Sequence, residues 1–307
     1  MDFEVEILLA IYNGENYVEE LLDSLNRQTF KNWRILVSDD GSTDVTLSIL
    51  ENCRKKNSIE MHILPFEGIR LGPCKNFERL LARSSAPYVM FCDHDDVWLP
   101  QKTAMQLNEM KRLEERSGSE PCLVYSDLTP VNHDLSPRHD SFLENSRLNW
   151  YQSNNFYYIC HRNPAPGCSI MLNRSAVRAV LPIGKKAVMH DWWCMLVVSK
   201  RGRVSCIKEP LLLYRFHSES FYGLKKVDEK PGRGVLAGRI MKFLSPGWYY
   251  RVLSNEFPKM AQVHNLRKTH GISFSLIYYI GVLFIGGMVS PILAKVLPEF
   301  NRLKIKV

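Results

Sequence analysis

The chain has 307 residues, of which 45% are hydrophobic and 23% charged, a balance that excludes a disordered or fibrous protein and allows one large domain or two smaller ones. The formal net charge of +8 sits at one end: residues 1–224 carry 26 Lys and Arg against 28 Asp and Glu, whereas residues 225–307 carry 14 against 4. A nucleic-acid binder would carry its basic patch on the folded domain, so this distribution argues against nucleic acid and for an anionic membrane surface.

Val5 to Tyr12 is an apolar run that predicts a strand, ended by the turn Asn13-Gly14-Glu15-Asn16. Val18, Leu21, Leu22 and Leu25 then share one face of a helix. Trp33 to Val37 predicts a second strand. The loop Asp39-Asp40-Gly41-Ser42-Thr43-Asp44 follows, with Ser42 or Thr43 as N-cap of a helix striped by Val45, Ile49, Leu50 and Cys53. Met61 to Leu64 reads as a third strand, Lys75 to Arg83 as a helix, and residues 87–92 as a fourth strand. Pro100 opens a helix to about Arg116, and Leu123 to Tyr125 is another strand. This alternation implies an α/β protein whose parallel strands are joined by crossover helices.

No regular period covers residues 130–165. Beyond them, Gly167 to Leu172 reads as a strand, and Arg174 to Val180 and Asp191 to Val198 as helices. Lys225 to Gly234 reads as a linker. The expected division is therefore a domain over 1–224 and a basic, apolar tail over 225–307.

The stretch Asp93-His94-Asp95-Asp96 carries the most chemistry. It stands at the carboxyl end of the fourth strand, where open α/β sheets bind ligands. Packed carboxylates repel one another unless a cation lies among them, so the cluster is a candidate divalent-metal seat. The eight cysteines form no C-x-x-C pair, which argues against a zinc ribbon and for a reducing compartment. The opening Met1-Asp2-Phe3-Glu4-Val5-Glu6 lacks the basic and apolar regions of a signal peptide, so a cytoplasmic location is expected.

Residues 271–294 are 24 in number and carry no charge. As a helix they would reach ~36 Å, against a hydrocarbon core of about 30 Å. Gly286, Gly287 and Pro291 interrupt them, and basic residues flank both sides. A membrane span, a hairpin, an interfacial anchor and a buried helix pair all remain open. A membrane-associating tail would place the protein at the inner face of the cell membrane.

An ordered set of motifs carries a family resemblance: Tyr12-Asn13-Gly14-Glu15, Gln28-Thr29-Phe30, Ser38 to Asp44, Asp93 to Pro100, Gly167-Cys168, His190-Asp191-Trp192-Trp193 and Tyr214-Arg215-Phe216-His217. Across about residues 4–223 the chain resembles the family 2 inverting glycosyltransferases, and among them the rhamnosyltransferase-like members of bacterial polysaccharide biosynthesis. The resemblance implies a GT-A type fold with a mixed, mostly parallel sheet. It also implies transfer from a UDP- or dTDP-sugar to a glycan or lipid-linked acceptor.

On that resemblance Ala10, Tyr12, Glu15, Asp39 and Asp40 form the nucleotide end of the donor site, with Tyr12 stacking on the base and Asp40 the better partner for its imide N–H. Asp93 and Asp95 hold Mg²⁺ or Mn²⁺ against the diphosphate. His217 is a candidate third ligand, Arg215 a candidate phosphate contact, and Asn76 a further donor-site candidate. Asp191 is the candidate general base. Where relatives place Glu-Asp, this chain has His190-Asp191, so His190 either tunes Asp191 or contacts the acceptor.

Each motif also has a structural reading. Asp-Gly-Ser-Thr can be a turn and cap, Asp95 and Asp96 a helix N-terminus, Asp191 an N-cap, and Trp98, Trp192 and Trp193 core. Two rival functions are a catalytically silent nucleotide-sugar-binding subunit at the membrane and a sugar nucleotidyltransferase. The latter calls for a Gly-rich basic phosphate loop, which Asn13-Gly14-Glu15-Asn16 does not provide.

Overall fold

Four apolar runs of four to seven residues build one half of an eight-stranded sheet in the computed structural model, which describes residues 3–57, 59–146 and 148–216. They are β1 (Val5–Ile11), β2 (Trp33–Asp39), β3 (Met61–Leu64) and β4 (Tyr88–Asp93), and all pair in parallel. The other half is β5 (Val97–Trp98), β6 (Cys122–Val131), β7 (Ile170–Asn173) and β8 (Arg203–Arg215), and the full order is β3-β2-β1-β4-β7-β6-β8-β5. β7 runs antiparallel to β4 and β6, β5 antiparallel to β8, and β8 parallel to β6. This is the mixed, mostly parallel α/β sheet that the strand–helix alternation implies.

The helices are α1 (Val18–Asn26), α2 (Thr46–Asn57), α3 (Pro73–Arg83), α4 (Lys102–Ser117), α5 (Phe142–Asn145), α6 (Phe156–Ile159), α7 (Arg174–Val180) and α8 (His190–Arg201). β1 and β2 are buried along almost their whole length because helices cover both faces of the sheet. α1 turns Val18, Leu21, Leu22 and Leu25 fully inward. Each such burial contributes about 1.5–3 kcal/mol. α3 lies over β1 and β2 and also meets α8.

Buried polar groups tie the layers together. Glu6 is fully buried on β1, yet it accepts from Arg34 and from the backbone N–H groups of Ser85 and Ala86 at 2.7 and 3.0 Å. Gln28 joins α1 to α4 through Leu99 O and the backbone N–H and hydroxyl of Thr103.

Several local expectations are corrected. The second helix begins at Thr46 rather than beside Ser42 or Thr43, because Asp44 takes the Thr46 N–H and Ser42 is bonded to Asp39 and Asn13. The helix expected from Pro100 begins at Lys102. Gly167 to Ser169 is a 3₁₀ turn, so the strand expected there starts at Ile170. The thirteen-residue β8 has no counterpart in the apolar pattern. His217, the linker and the apolar tail lie outside the described residues. Among the described residues, no helix is long and apolar enough to cross a membrane.

Candidate active site

The sheet fixes which side chains meet. In register, Ala10 of β1 lies between Ser38 of β2 and Asp93 of β4, and Ile11 lies beside Asp39. β1 is the strand from which the order departs in both directions, so the crevice beyond its carboxyl end is the natural ligand position. A cavity of about 520 Å³ opens there.

Ala10, Tyr12, Asp40 and Asn76 line the cavity. Asp40 accepts from the backbone N–H groups of Leu71 and Gly72 at 2.6 and 2.8 Å. Arg70 places its guanidinium 3.4 Å above the Tyr12 ring and its Nε 3.8 Å from Asp40. Asn76 donates to Ser38 O, while its Oδ1 is buried without a partner.

Asp93, Asp95 and Asp191 also line the cavity. Burial, then the neighbouring Asp95 and Asp191, push the Asp93 carboxyl up to about 8. Asp96 lies beneath, 1% exposed, and accepts from Arg215 N with one oxygen while the other has no partner. Ligand atoms of Asp93, Asp96 and Cys168 lie within 4.8 Å of one another. Crowded carboxylates, with Asp96 Oδ2 lacking a partner, fit a hard divalent cation that prefers oxygen.

Asp191 sits in the first turn of α8, 6% exposed. Burial raises its carboxyl to about 6, opposed by the N–H groups of Trp192 and Gly167 and by the Asn163 side chain. A carboxylate with that affinity for protons is suited to accept one near neutral pH.

Three of the residues singled out from sequence do not line the cavity. Glu15 is exposed and accepts from Val45 N, joining the loops after β1 and β2. Asp39 points away from Asp40 and bonds Gly41 N, Ser42 N and the Ser42 hydroxyl, which folds its own turn. Arg215 is 3% exposed; its guanidinium bonds Asp95 O at 2.8 Å, His133 O and Glu20, and lies 4.9 Å from the Tyr17 ring centroid. Its fork is used inside the fold, which corrects the expected phosphate contact. Conversely, Arg70, Phe77 and Met189 line the cavity without having drawn attention in the sequence. The Gly68 and Gly72 pair, both with positive φ, is the only sequence hint at the loop that carries Arg70.

Residues 6–178 match the profile of glycosyl transferase family 2, and the chain belongs to that family: it is a glycosyltransferase. It is 26% identical over 226 residues to the dTDP-rhamnosyl transferase RfbG of Shigella flexneri, covering 70% of this chain and 73% of that one. It is 36% identical over 101 residues to the glycosyltransferase GlyA of Streptococcus pneumoniae, where it covers 33% of this chain but only 14% of the relative. Among solved structures, S. aureus TarS 1-349 in complex with UDP-GlcNAc aligns with a TM-score of 0.51 at 20% identity, over 70% of this chain and 59% of that chain. The mannosyltransferase PcManGT of Pyrobaculum calidifontis, in complex with GDP-Man and Mn²⁺, aligns with a TM-score of 0.51 at 14% identity, over 94% and 80%. These two share the fold.

Proposed function

We propose that the chain transfers a sugar, with inversion, from a UDP- or dTDP-sugar to a hydroxyl of a glycan or lipid-linked acceptor in polysaccharide biosynthesis. The observation that carries this reading is the convergence of Asp40, Asp93, Asp95 and Asp191 on one cavity.

Tyr12 and Asp40 bind the base, the ring by stacking and the carboxylate by accepting the imide N–H. The Arg70 guanidinium over Tyr12 and the bonds of Asp40 to Leu71 and Gly72 put the 70–72 loop at the base as well. Asp93 and Asp95 would hold Mg²⁺ or Mn²⁺, which supplies positive charge to the leaving diphosphate. Asp191 accepts the proton of the acceptor hydroxyl as that oxygen attacks the anomeric carbon. A single base acting opposite the leaving group gives one displacement and inversion. The similarity to RfbG favours a dTDP-linked deoxyhexose among the donors. A silent binding subunit would leave Asp191, with its raised proton affinity, without a use.

A thermal-shift panel of UDP-, dTDP- and GDP-sugars, with and without Mn²⁺, tests this. A ligand that binds only the native state raises the melting temperature according to its affinity. A metal-dependent rise with UDP- or dTDP-sugars is expected. No rise with any nucleotide sugar refutes the reading.

A further inference from the structure

His190 is 3% exposed, and neither of its ring nitrogens has a hydrogen-bond partner. Leaving a buried donor or acceptor unsatisfied costs about 1–3 kcal/mol, so such a group in a cavity wall calls for a reason. Packing fixes the ring plane: His190 stacks on Phe77 at 3.9 Å and 25° and meets Phe91 edge-on at 4.8 Å and 81°. Space for it is kept by Gly167, where an added Cβ would lie 2.7 Å from Nε2. Burial pushes its pKa down to about 3, so at neutral pH the imidazole is uncharged and offers one N–H donor and one nitrogen acceptor.

The position of the ring limits what can meet it. Phe91, whose ring it meets, precedes Asp93 by two residues on β4, and Asp191 is the next residue in the chain. The transferred sugar is joined to the outer phosphate, so on the glycosyl-transfer reading it lies between the diphosphate at Asp93 and the general base Asp191, and His190 adjoins Asp191 in α8 and lines the same cavity. Building on the glycosyl-transfer reading above, we infer that His190 recognises a ring hydroxyl of the donor sugar and so helps decide which sugar is accepted. A hydroxyl both donates and accepts, which matches a neutral imidazole. Nε2 faces the space that Gly167 leaves open, and Gly167 lines the same cavity. A pocket that bonds a substrate hydroxyl discriminates strongly against an analogue lacking it, because the pocket's own polar group is then stranded.

The test uses the full chain with Mn²⁺ and calorimetric titration of UDP, dTDP and the nucleotide sugar of the panel that binds most tightly. His190→Phe keeps the stack and removes both nitrogens. It should bind the free nucleoside diphosphate as the parent does and lose roughly 10–100-fold in affinity for the nucleotide sugar. His190→Gln, which restores a donor and an acceptor, should keep the preference for the sugar conjugate that His190→Phe loses, so the comparison stands even if the Phe variant folds poorly. Undiminished preference in His190→Phe, or equal loss for nucleotide and nucleotide sugar, overturns the inference while leaving glycosyl transfer intact. A parent protein that binds neither ligand overturns both.

Discussion

Asp191→Asn should do two opposite things, and the structure sets the size of each. The carboxyl is raised from its ordinary 3.8 to about 6 by burial. Each pKa unit is worth about 1.36 kcal/mol, so keeping this group ionised at neutral pH costs the fold on the order of 3 kcal/mol. The sign follows from protonation: the native state holds the proton more tightly than the unfolded chain, so this group favours the fold at low pH. The advantage is lost as pH rises from about 3.8 to about 6. Asparagine removes the charge but still accepts the Trp192 N–H through Oδ1. It forfeits the second carboxylate oxygen, which the Gly167 N–H and Asn163 help to satisfy, at roughly 1–2 kcal/mol. The net expectation at pH 7 is a gain of about 1–2 kcal/mol, or roughly 2–8 °C in melting temperature for a domain of this size.

The rate should move the other way. Removing a general base costs about 10²–10⁴ in turnover, or ~2.7–5.5 kcal/mol of barrier. Release of nucleoside diphosphate by slow hydrolysis of the donor, where water takes the acceptor's place, gives an assay that needs no known acceptor. In the parent, that rate should rise with pH to a plateau above about 6, as Asp191 ionises. The variant should lie far below the parent and lose this limb. Near-normal turnover would remove Asp191 from its role. A melting temperature at or below the parent's across pH 4–8 would refute the cost assigned to its buried charge.

Two further outcomes separate the neighbouring groups. Chelation by EDTA should abolish transfer and Mn²⁺ or Mg²⁺ restore it, while a double Asp93→Asn, Asp95→Asn change should abolish Mn²⁺ binding measured by titration; chelator-insensitive transfer rejects the metal assignment. Arg215→Met should lower stability by about 3–5 kcal/mol, the usual result of stranding one member of a buried charged network, and leave nucleotide-sugar affinity in the folded protein unchanged; lost affinity with unchanged melting would restore Arg215 to the phosphate.

The parallel half of the sheet was legible because β1, β2 and β4 are largely apolar runs buried along most of their length and ended by turn residues. β8 was not, because only part of it is covered. It mixes Arg203, Lys208 and Glu209 with Leu211 and Leu212, includes Pro210, and shifts register against β6 after Ser126 and Asp127. No single period survives such a strand. The site shows the same division. Asp40 and Asp93 could be placed from sequence because a strand's end and its neighbours' ends define the crevice. The choice between Asp39 and Asp40 follows from side chains alternating along a strand.

Arg215 could not be placed in this way, since its partners Glu20 and Asp95 are 195 and 120 residues distant in the chain. A buried Arg that serves the fold and an exposed Arg that grips phosphate read alike as letters. What distinguishes them is whether the fork is already full. The same criterion, applied in reverse, singles out His190. Where Arg215 has its donors engaged within the fold, His190 has a donor and an acceptor with nothing on them, in the wall of the cavity that the carboxylates share. At these two residues the unmet capacity of His190 inside the ligand cavity points to recognition, and the engaged donors of Arg215 to architecture.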